Sequence, residues 1–123
     1  MNKNMVLELF DEWNTALMSG DPEQVTDLYA AEAILLPTMS NLVRRNHDEI
    51  KDYFVHFCEN SPKGTILVSN VRIYGQIAIN SGIYEFTFQD GSAVKARFTY
   101  VYKKFDRRWL IIEHHSSQLP EIE

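Results

Sequence analysis

The residues best suited to chemistry lie close together near the end of the sequence, where positions 113–117 read Glu-His-His-Ser-Ser. A histidine has an unperturbed pKa of about 6.5 and can move a proton at neutral pH. His114 and His115 are neighbours on a predicted strand, so their side chains point to opposite faces and cannot share a metal ion. Ser116 and Ser117 lack the strand-turn-helix elbow of a serine nucleophile. We therefore expect no metal and no cofactor, and His114 is the candidate for proton transfer.

This polar cluster ends a predicted β-hairpin. Residues 94–103 alternate between an apolar row and a mostly polar row, which is the period-two pattern of a half-buried strand. Residues 109–117 are apolar first and polar afterwards, so one end of the hairpin is apolar and the other is polar. We expect a pocket at the polar end.

Matching apolar residues across the two turns predicts the strand register. A three-residue loop within positions 89–93 pairs Phe88 with Val94, Phe86 with Ala96, and Tyr84 with Phe98. The same rule at the second turn pairs Tyr102 with Leu110, Tyr100 with Ile112, Phe98 with His114, and Ala96 with Ser116. The covered face of the sheet then carries Tyr84, Phe98 and His114 in one row.

The predicted pocket lies on this covered face. Its expected lining is Trp13, Tyr53, Tyr84, Phe98, Tyr100, His114 and Ser116. We expect His114 to be a neutral histidine bonded to a tyrosine or a serine, and a catalytic base is the alternative. Trp13 and Tyr53 each belong to the apolar stripe of a predicted helix, and such stripes are also typical of ordinary core residues. The carboxylates fall on solvent-facing, capping or outer-face positions, so none is clearly placed for proton transfer.

The opposite face of the sheet is predicted to be an interface. Its rows are expected to read Glu85, Arg97, His115 and Ile83, Thr99, Glu113, beside an apolar strip of Ile83, Val101, Trp109 and Ile111. An apolar strip of this kind left in water usually marks an interaction site. The predicted interface residues are Glu85, Arg97, Val101, Trp109, Ile111, Glu113 and His115, and the expected partner is a second copy of the chain, in a homodimer or a larger ring.

The earlier part of the chain supplies the elements that cover the sheet. Apolar residues at three- and four-residue spacing predict a helix over 4–18, and the Asp-Pro pair at 21–22 starts a short second helix that includes Tyr29. Residues 33–36 predict an edge strand, and 38–45 a loop. Asn46 and Glu49 form a capping box that starts a third helix, which ends near residue 60. Strands follow from residue 65, so we expect one α+β domain over 1–123, with three helices covering a curved antiparallel sheet.

Charge and hydropathy limit the classes of partner. The formal net charge is -5 at pH 7 and the basic residues are scattered, which argues against nucleic acid. No apolar run approaches the roughly 20 residues of a membrane span, and the first ten residues lack the pattern of a signal peptide. We therefore expect a cytoplasmic protein whose partners are small molecules or protein chains.

Several segments together resemble a known family. Positions 16–21 (ALMSGD), 41–43 (NLV) and 53–54 (YF), with the last hairpin ARFTYVYKK and WLIIEHHSSQLP, resemble the association (hub) domain of calcium/calmodulin-dependent protein kinase II. They resemble even more closely its free-standing bacterial relatives, including those of the SgcJ/EcaC type. These proteins share the cone-shaped fold of nuclear transport factor two-like and SnoaL-like proteins. The chain lacks the glycine-rich loop and catalytic segment of a kinase.

The resemblance implies a pocket inside the cone and assembly through the outer sheet face. The hub domain carries an arginine on the strand where this chain has Tyr100, so an anion site of the hub type would need Arg44, Arg45 or Arg97 to reach the cavity. We expect a self-associating domain with a ligand-accessible pocket and a binding or scaffolding role. The alternative is a small lyase, isomerase or cyclase that acts by proton transfer on an aromatic or polyketide-like substrate.

Overall fold

The first helix turns its apolar stripe toward the sheet. In the computed structural model, which describes residues 1–38 and 40–121, α1 spans Lys3–Met18 and starts where the Asn2 side chain accepts the Met5 N–H at 3.0 Å. Its buried residues are Val6, Phe10, Trp13, Ala16 and Leu17. Trp13 is 1% exposed, as is Phe54 on a later helix, so both rings belong to the core.

Two shorter helices follow the capping signals of the sequence. α2 spans Pro22–Thr26, with Asp21 as its N-cap, and α3 spans His47–Phe57 before a 3-10 turn over Cys58–Asn60. At α3 the Glu49 N–H donates to Asn46 Oδ1 at 2.9 Å, which is half of the expected capping box. None of the helices in the described part of the chain is long and apolar enough to cross a membrane.

Five strands form one curved sheet, and the domain is α+β as predicted. The strands are β1 (Tyr29–Leu36), β2 (Lys63–Tyr74), β3 (Ile77–Thr87), β4 (Ala93–Phe105) and β5 (Arg108–Gln118). Their order is β1-β5-β4-β3-β2, so β1 is an edge strand as expected. The sheet is antiparallel from β2 to β5 as predicted, and it departs from that pattern only at β1, which pairs with β5 in parallel. Tyr29 begins β1 and does not belong to the second helix.

The β3–β4 register differs from the prediction by two residues. Phe86 lies opposite Val94, and Tyr84 lies opposite Ala96. The reason is a longer loop, in which the Phe88 N–H donates to the Ser92 carbonyl at 2.9 Å and Gly91 adopts a φ of 88°. A shift of two residues preserves the faces of the strands, since side chains alternate with a period of two.

The β4–β5 register contains a β-bulge that the prediction lacked. Val101 pairs with Glu113 and Tyr102 pairs with Ile111, so Ile112 is the extra residue on β5. The predicted placement of Ile111 on the outer face is therefore wrong, because the bulge turns its side chain into the core, where it is 1% exposed. Trp109 has the same phase as Ile111 and packs, half-buried, against the core.

Candidate functional site

A cavity of about 650 Å³ opens on the concave face of the sheet. It is bounded by α3, the loop after β1, the β3–β4 hairpin and the polar end of β5. Five of the predicted pocket residues line it, namely Trp13, Tyr53, Tyr84, His114 and Ser116. Phe98 and Tyr100 lie beneath this lining: Phe98 stacks on Tyr84 with ring centroids 4.7 Å apart, and Tyr100 stacks on His114 at 4.1 Å.

The floor of the cavity is a continuous set of hydrogen bonds centred on His114. The Tyr29 hydroxyl lies 2.7 Å from His114 Nδ1, and the Tyr84 hydroxyl lies 3.2 Å from His114 Nε2. Trp13 Nε1 donates to the Tyr29 hydroxyl at 3.1 Å. On the other side, the Tyr84 hydroxyl donates to Ser116 Oγ at 2.6 Å. The elements α1, β1, β3 and β5 are thus joined by polar side chains at one point.

One further hydroxyl extends this set to the rim of the cavity. Thr38, in the loop after β1, places its Oγ1 2.6 Å from Ser116 Oγ. Its backbone carbonyl accepts the Tyr53 hydroxyl at 3.4 Å. Thr38 lines the cavity and is only partly buried, so its hydroxyl is the outermost member of the set.

Burial determines the charge of the central histidine. His114 is 3% exposed, and desolvation, with a smaller contribution from His115, lowers its pKa from 6.5 to about 3. Burial also raises the pKa of Tyr84 well above its usual range. His114 is therefore neutral at physiological pH, and its conjugate acid is far more acidic than a general base at pH 7 requires.

Arg44 supplies the positive charge of the cavity wall. Its backbone N–H and carbonyl pair with Leu35 at 2.9 and 2.8 Å, which holds the residue against the edge strand. Its Nη1 donates to the Glu49 carbonyl at 2.9 Å and to Asp52 Oδ2 at 2.8 Å. The guanidinium carbon lies 5.8 Å from the centre of the Tyr53 ring. The Arg44 side chain is 11% exposed, and its Nε is buried without a hydrogen-bond partner among the described residues.

The carboxylates near the cavity are poorly suited to proton transfer. Asp90 lines the rim, where hydrogen bonds from Ser92 lower its pKa. The Arg44 guanidinium lowers the pKa of Asp52, whose side chain faces solvent. Both groups are ionised at neutral pH. The described residues contain no group of three or more His, Cys, Asp and Glu side chains placed to hold a metal ion.

Three residues of the site were missed or left undecided by sequence reasoning. Tyr29 was assigned to a helix, although the apolar pattern Tyr29, Ala33, Leu35 is compatible with a strand. Thr38 was part of a predicted loop with no further role. The sequence offers three arginines that could reach the cavity. Pairing with Leu35 holds Arg44 at the cavity wall, and no local sequence signal reveals that pairing.

The convex face carries most of the residues predicted for the interface. Five of them lie at outward positions of β3, β4 and β5, namely Glu85, Arg97, Val101, Glu113 and His115. Their rows differ from the prediction, since Arg97 lies between Ile83 and Ser117, and Val101 lies between Ile79 and Glu113. Ile79 replaces Ile111 in the apolar strip.

Comparison with solved structures supports the fold and identifies one protein of high sequence identity. A protein from Xanthomonas campestris, named for the calcium/calmodulin-dependent protein kinase II association domain, is 46% identical to this chain, with a TM-score of 0.95 over 99% of this chain and 91% of its own. An NTF2-like protein of unknown function from Pseudomonas putida has a TM-score of 0.84 at 16% identity, covering 98% of this chain and 89% of its own. An NTF2-like superfamily protein from Salmonella enterica has a TM-score of 0.82 at 16% identity, covering 98% and 93%.

The family assignment rests on the sequence profile as well as on the structure. No functionally curated protein matches the chain. The profile described as the calcium/calmodulin dependent protein kinase II association domain matches residues 2–120. Together with the fold, this match supports a small scaffolding or ligand-binding domain. The chain belongs to the calcium/calmodulin-dependent protein kinase II association-domain family.

Proposed function

We propose that this domain binds a small organic anion in its cavity and self-associates through the convex face of its sheet. The observation that carries the first half is Arg44, a cavity-lining residue whose buried Nε–H has no acceptor among the described residues. An unpaired buried donor is costly, and more so on a charged group. A carboxylate or similar group in the cavity would supply the missing acceptor.

The remainder of the wall suits an apolar ligand body. Among the aromatic residues that line the cavity, Tyr53, Phe57 and Phe88 form a connected group. Tyr53 stacks on Phe57 with ring centroids 5.6 Å apart, and Phe57 meets Phe88 edge-on at 6.0 Å. The volume of about 650 Å³ is within the usual range for small-molecule sites. An anionic head at Arg44 and a flat apolar body against these rings would fit the chemistry of the wall.

The rival function, a lyase, isomerase or cyclase, has weaker support. Proton transfer at neutral pH needs a group with a pKa near 7 within reach of the substrate. Burial lowers the pKa of His114 to about 3, and both nitrogens of its ring already face tyrosine hydroxyls. A binding role does not require His114 to have a pKa near 7.

Calorimetric titration with benzoate and its neutral analogue benzamide tests the anion site. We expect measurable binding of benzoate and at least tenfold weaker binding of benzamide. Arg44→Gln should weaken benzoate binding by about tenfold or more, since a charge-assisted hydrogen bond contributes about 1.5–3 kcal/mol. Arg45→Gln is the matched control, because Arg45 is exposed and does not line the cavity. Equal affinities of the two arginine variants would contradict the proposal.

Self-association rests on the apolar strip of the convex face. Ile79, Ile83 and Val101 are only half-buried in the single chain, and Val68 on the adjoining strand is 46% exposed. Two copies related by a two-fold axis would cover this strip and bring Arg97 of one copy toward Glu85 or Glu113 of the other. The match to an association-domain family also supports self-assembly.

Light scattering at tens of micromolar tests the interface. We expect the unmodified chain to be at least dimeric, and Arg97→Glu to shift the population toward monomer, because it places like charges in a partly desolvated contact. Arg107→Glu makes the same change of charge in the β4–β5 turn and should leave the mass unchanged. A monomeric parent protein, or an Arg97→Glu variant as large as its parent, would remove the basis for this interface.

A further inference from the structure

The donor and the acceptor of each hydrogen bond beneath the cavity can be assigned by starting from Trp13. The indole N–H of Trp13 can only donate, so the Tyr29 oxygen accepts it. Tyr29 has one hydroxyl hydrogen left, and His114 Nδ1 at 2.7 Å is its remaining hydrogen-bond partner among the described residues. A buried imidazole with no charged partner is neutral and carries a single N–H.

The two possible tautomers of His114 differ in how many groups they satisfy. With the hydrogen on Nε2, Tyr29 donates to Nδ1, the ring donates to the Tyr84 oxygen, and Tyr84 donates to Ser116. With the hydrogen on Nδ1, both the ring and Trp13 point at the Tyr29 oxygen, and the Tyr29 hydroxyl hydrogen is left without an acceptor in a side chain that is 1% exposed. Since an unsatisfied buried group is costly, the first arrangement is selected.

The same direction continues to the rim of the cavity. Either hydroxyl could donate in the 2.6 Å contact between Ser116 Oγ and Thr38 Oγ1. Ser116 is 8% exposed and has no other acceptor among the described residues, so only donation from Ser116 to Thr38 leaves no buried hydroxyl hydrogen unpaired. The Thr38 hydroxyl hydrogen then has no acceptor among residues 1–38 and 40–121, and Thr38 lines the cavity. Thr38 and Arg44 flank one ring, because the Tyr53 hydroxyl donates to the Thr38 carbonyl and Arg44 lies over the face of Tyr53.

We propose that Thr38 is a specificity-determining donor, oriented by the directed chain Trp13, Tyr29, His114, Tyr84, Ser116, and that the ligand is an organic acid with a second hydrogen-bond acceptor. This inference rests on the proposed anion site at Arg44. A keto oxygen a few bonds from the carboxylate accepts the Thr38 hydrogen, whereas an ammonium or amide N–H in that place offers only donors and leaves that hydrogen without an acceptor. The chain therefore favours oxo acids over amino acids of the same length.

Binding of three acids to the full chain tests the role of Thr38. The probes are pentanoate, 4-oxopentanoate, which adds an acceptor, and 5-aminopentanoate, which adds only donors. We expect 4-oxopentanoate to bind about three- to tenfold more tightly than pentanoate, the range of one ordinary hydrogen bond, and 5-aminopentanoate to bind more weakly than pentanoate. Thr38→Val, an isostere without the hydroxyl, should abolish the preference for the oxo acid, and Thr38→Ser should retain it.

Three outcomes separate this inference from the proposed function. If Thr38→Val keeps the preference for 4-oxopentanoate while Arg44→Gln weakens all three acids, the role of Thr38 is wrong and the anion site stands. If no acid binds, both the proposed anion site and the proposed role of Thr38 are wrong. Nitrogen-15 NMR of the ligand-free chain gives an independent readout, because the His114 ring should carry its hydrogen on Nε2. A hydrogen on Nδ1 would overturn the direction of the chain whatever the acids do.

Discussion

On the sheet strands, buried polar side chains have hydrogen-bond partners at one end of the concave face and lack them at the other, whereas Arg44 lies in the loop after β1. At the open end, under the cavity, the side chains of Tyr84, His114 and Ser116 all have hydrogen-bond partners. At the closed end, Asn80 and Tyr102 are no more than 2% exposed, yet their side-chain polar atoms have no partner among the described residues. The hydroxyl of Tyr100, which stacks on His114, is also unpartnered.

This contrast separates polar groups that fix the position of a neighbouring side chain from polar groups that are only buried with their rings. A buried polar atom without a partner costs about 1–3 kcal/mol, so the closed end contributes stability through its rings and not through its hydroxyls. At the open end the hydroxyls hold the ring of His114 in one orientation. This arrangement agrees with the ligand site that we propose at the open end, whereas the closed end is aromatic packing.

The largest expected effect comes from Trp13, which touches both ends. Its ring lies 5.7 Å from Tyr100, edge-on, and its N–H donates to Tyr29. Trp13→Ala should lower the free energy of unfolding by about 3–5 kcal/mol, as large-to-small core changes do. Trp13→Phe keeps most of the packing and loses the hydrogen bond, so a smaller loss is expected. Denaturant unfolding of both variants measures this, and a loss below about 1 kcal/mol for Trp13→Ala would mean that the two ends are not joined through this ring.

The next effect is a dependence of stability on pH. Unfolded His114 binds a proton below its ordinary pKa of 6.5, whereas burial keeps the folded residue neutral down to about pH 3. Within that window the unfolded state binds more protons, so stability falls as the pH falls. The contribution of this residue between pH 7 and pH 4 is about 3 kcal/mol.

Comparison of two glutamine variants isolates that contribution. Unfolding of His114→Gln should show a weaker loss of stability between pH 7 and pH 4 than the parent chain. His115→Gln is the matched control, since His115 is exposed and adjacent in sequence. Parallel stability curves for the parent and His114→Gln would show that the open end does not hold a neutral histidine.

The smallest expected effect comes from the same tyrosine-to-phenylalanine change made at each end of the concave face. The two variants compare a paired hydroxyl directly with an unpaired one. Tyr84→Phe removes a hydroxyl with two partners and should cost about 1–3 kcal/mol. Tyr102→Phe removes a hydroxyl without a partner among the described residues and should be neutral or stabilising by up to about 1 kcal/mol. Equal costs in chemical unfolding would mean that the closed end is as well satisfied as the open end.

Local sequence signals predicted the elements well, since caps and periodicity act within a few residues. Asp21, Asn46 and Glu49 mark helix starts that the structure contains, and the alternation of residues 94–103 recurs in β4. The faces of Tyr84 and Phe98 also followed, because an error of two residues in register leaves a face unchanged.

Features that depend on distant parts of the chain were not predictable in the same way. Leu110, Ile111 and Ile112 are all apolar, so the sequence fits a strand with or without the bulge, and the phase of Ile111 could not be read. The parallel pairing of β1 with β5 joins segments some 80 residues apart. The entry of Arg44 into the cavity depends on its bridge to Leu35, a contact between a loop and an edge strand.

If the proposed function is right, the open end of the concave face takes up a ligand and the closed end does not. The most direct measurement is an NMR titration of the isotope-labelled full chain with benzoate, following backbone amides and the His114 ring. We expect shifts at Thr38, Arg44 and Tyr53 and at the ring of His114, with little change at Asn80 and Tyr102. Shifts centred on Asn80 and Tyr102, or no shifts at millimolar benzoate, would contradict it.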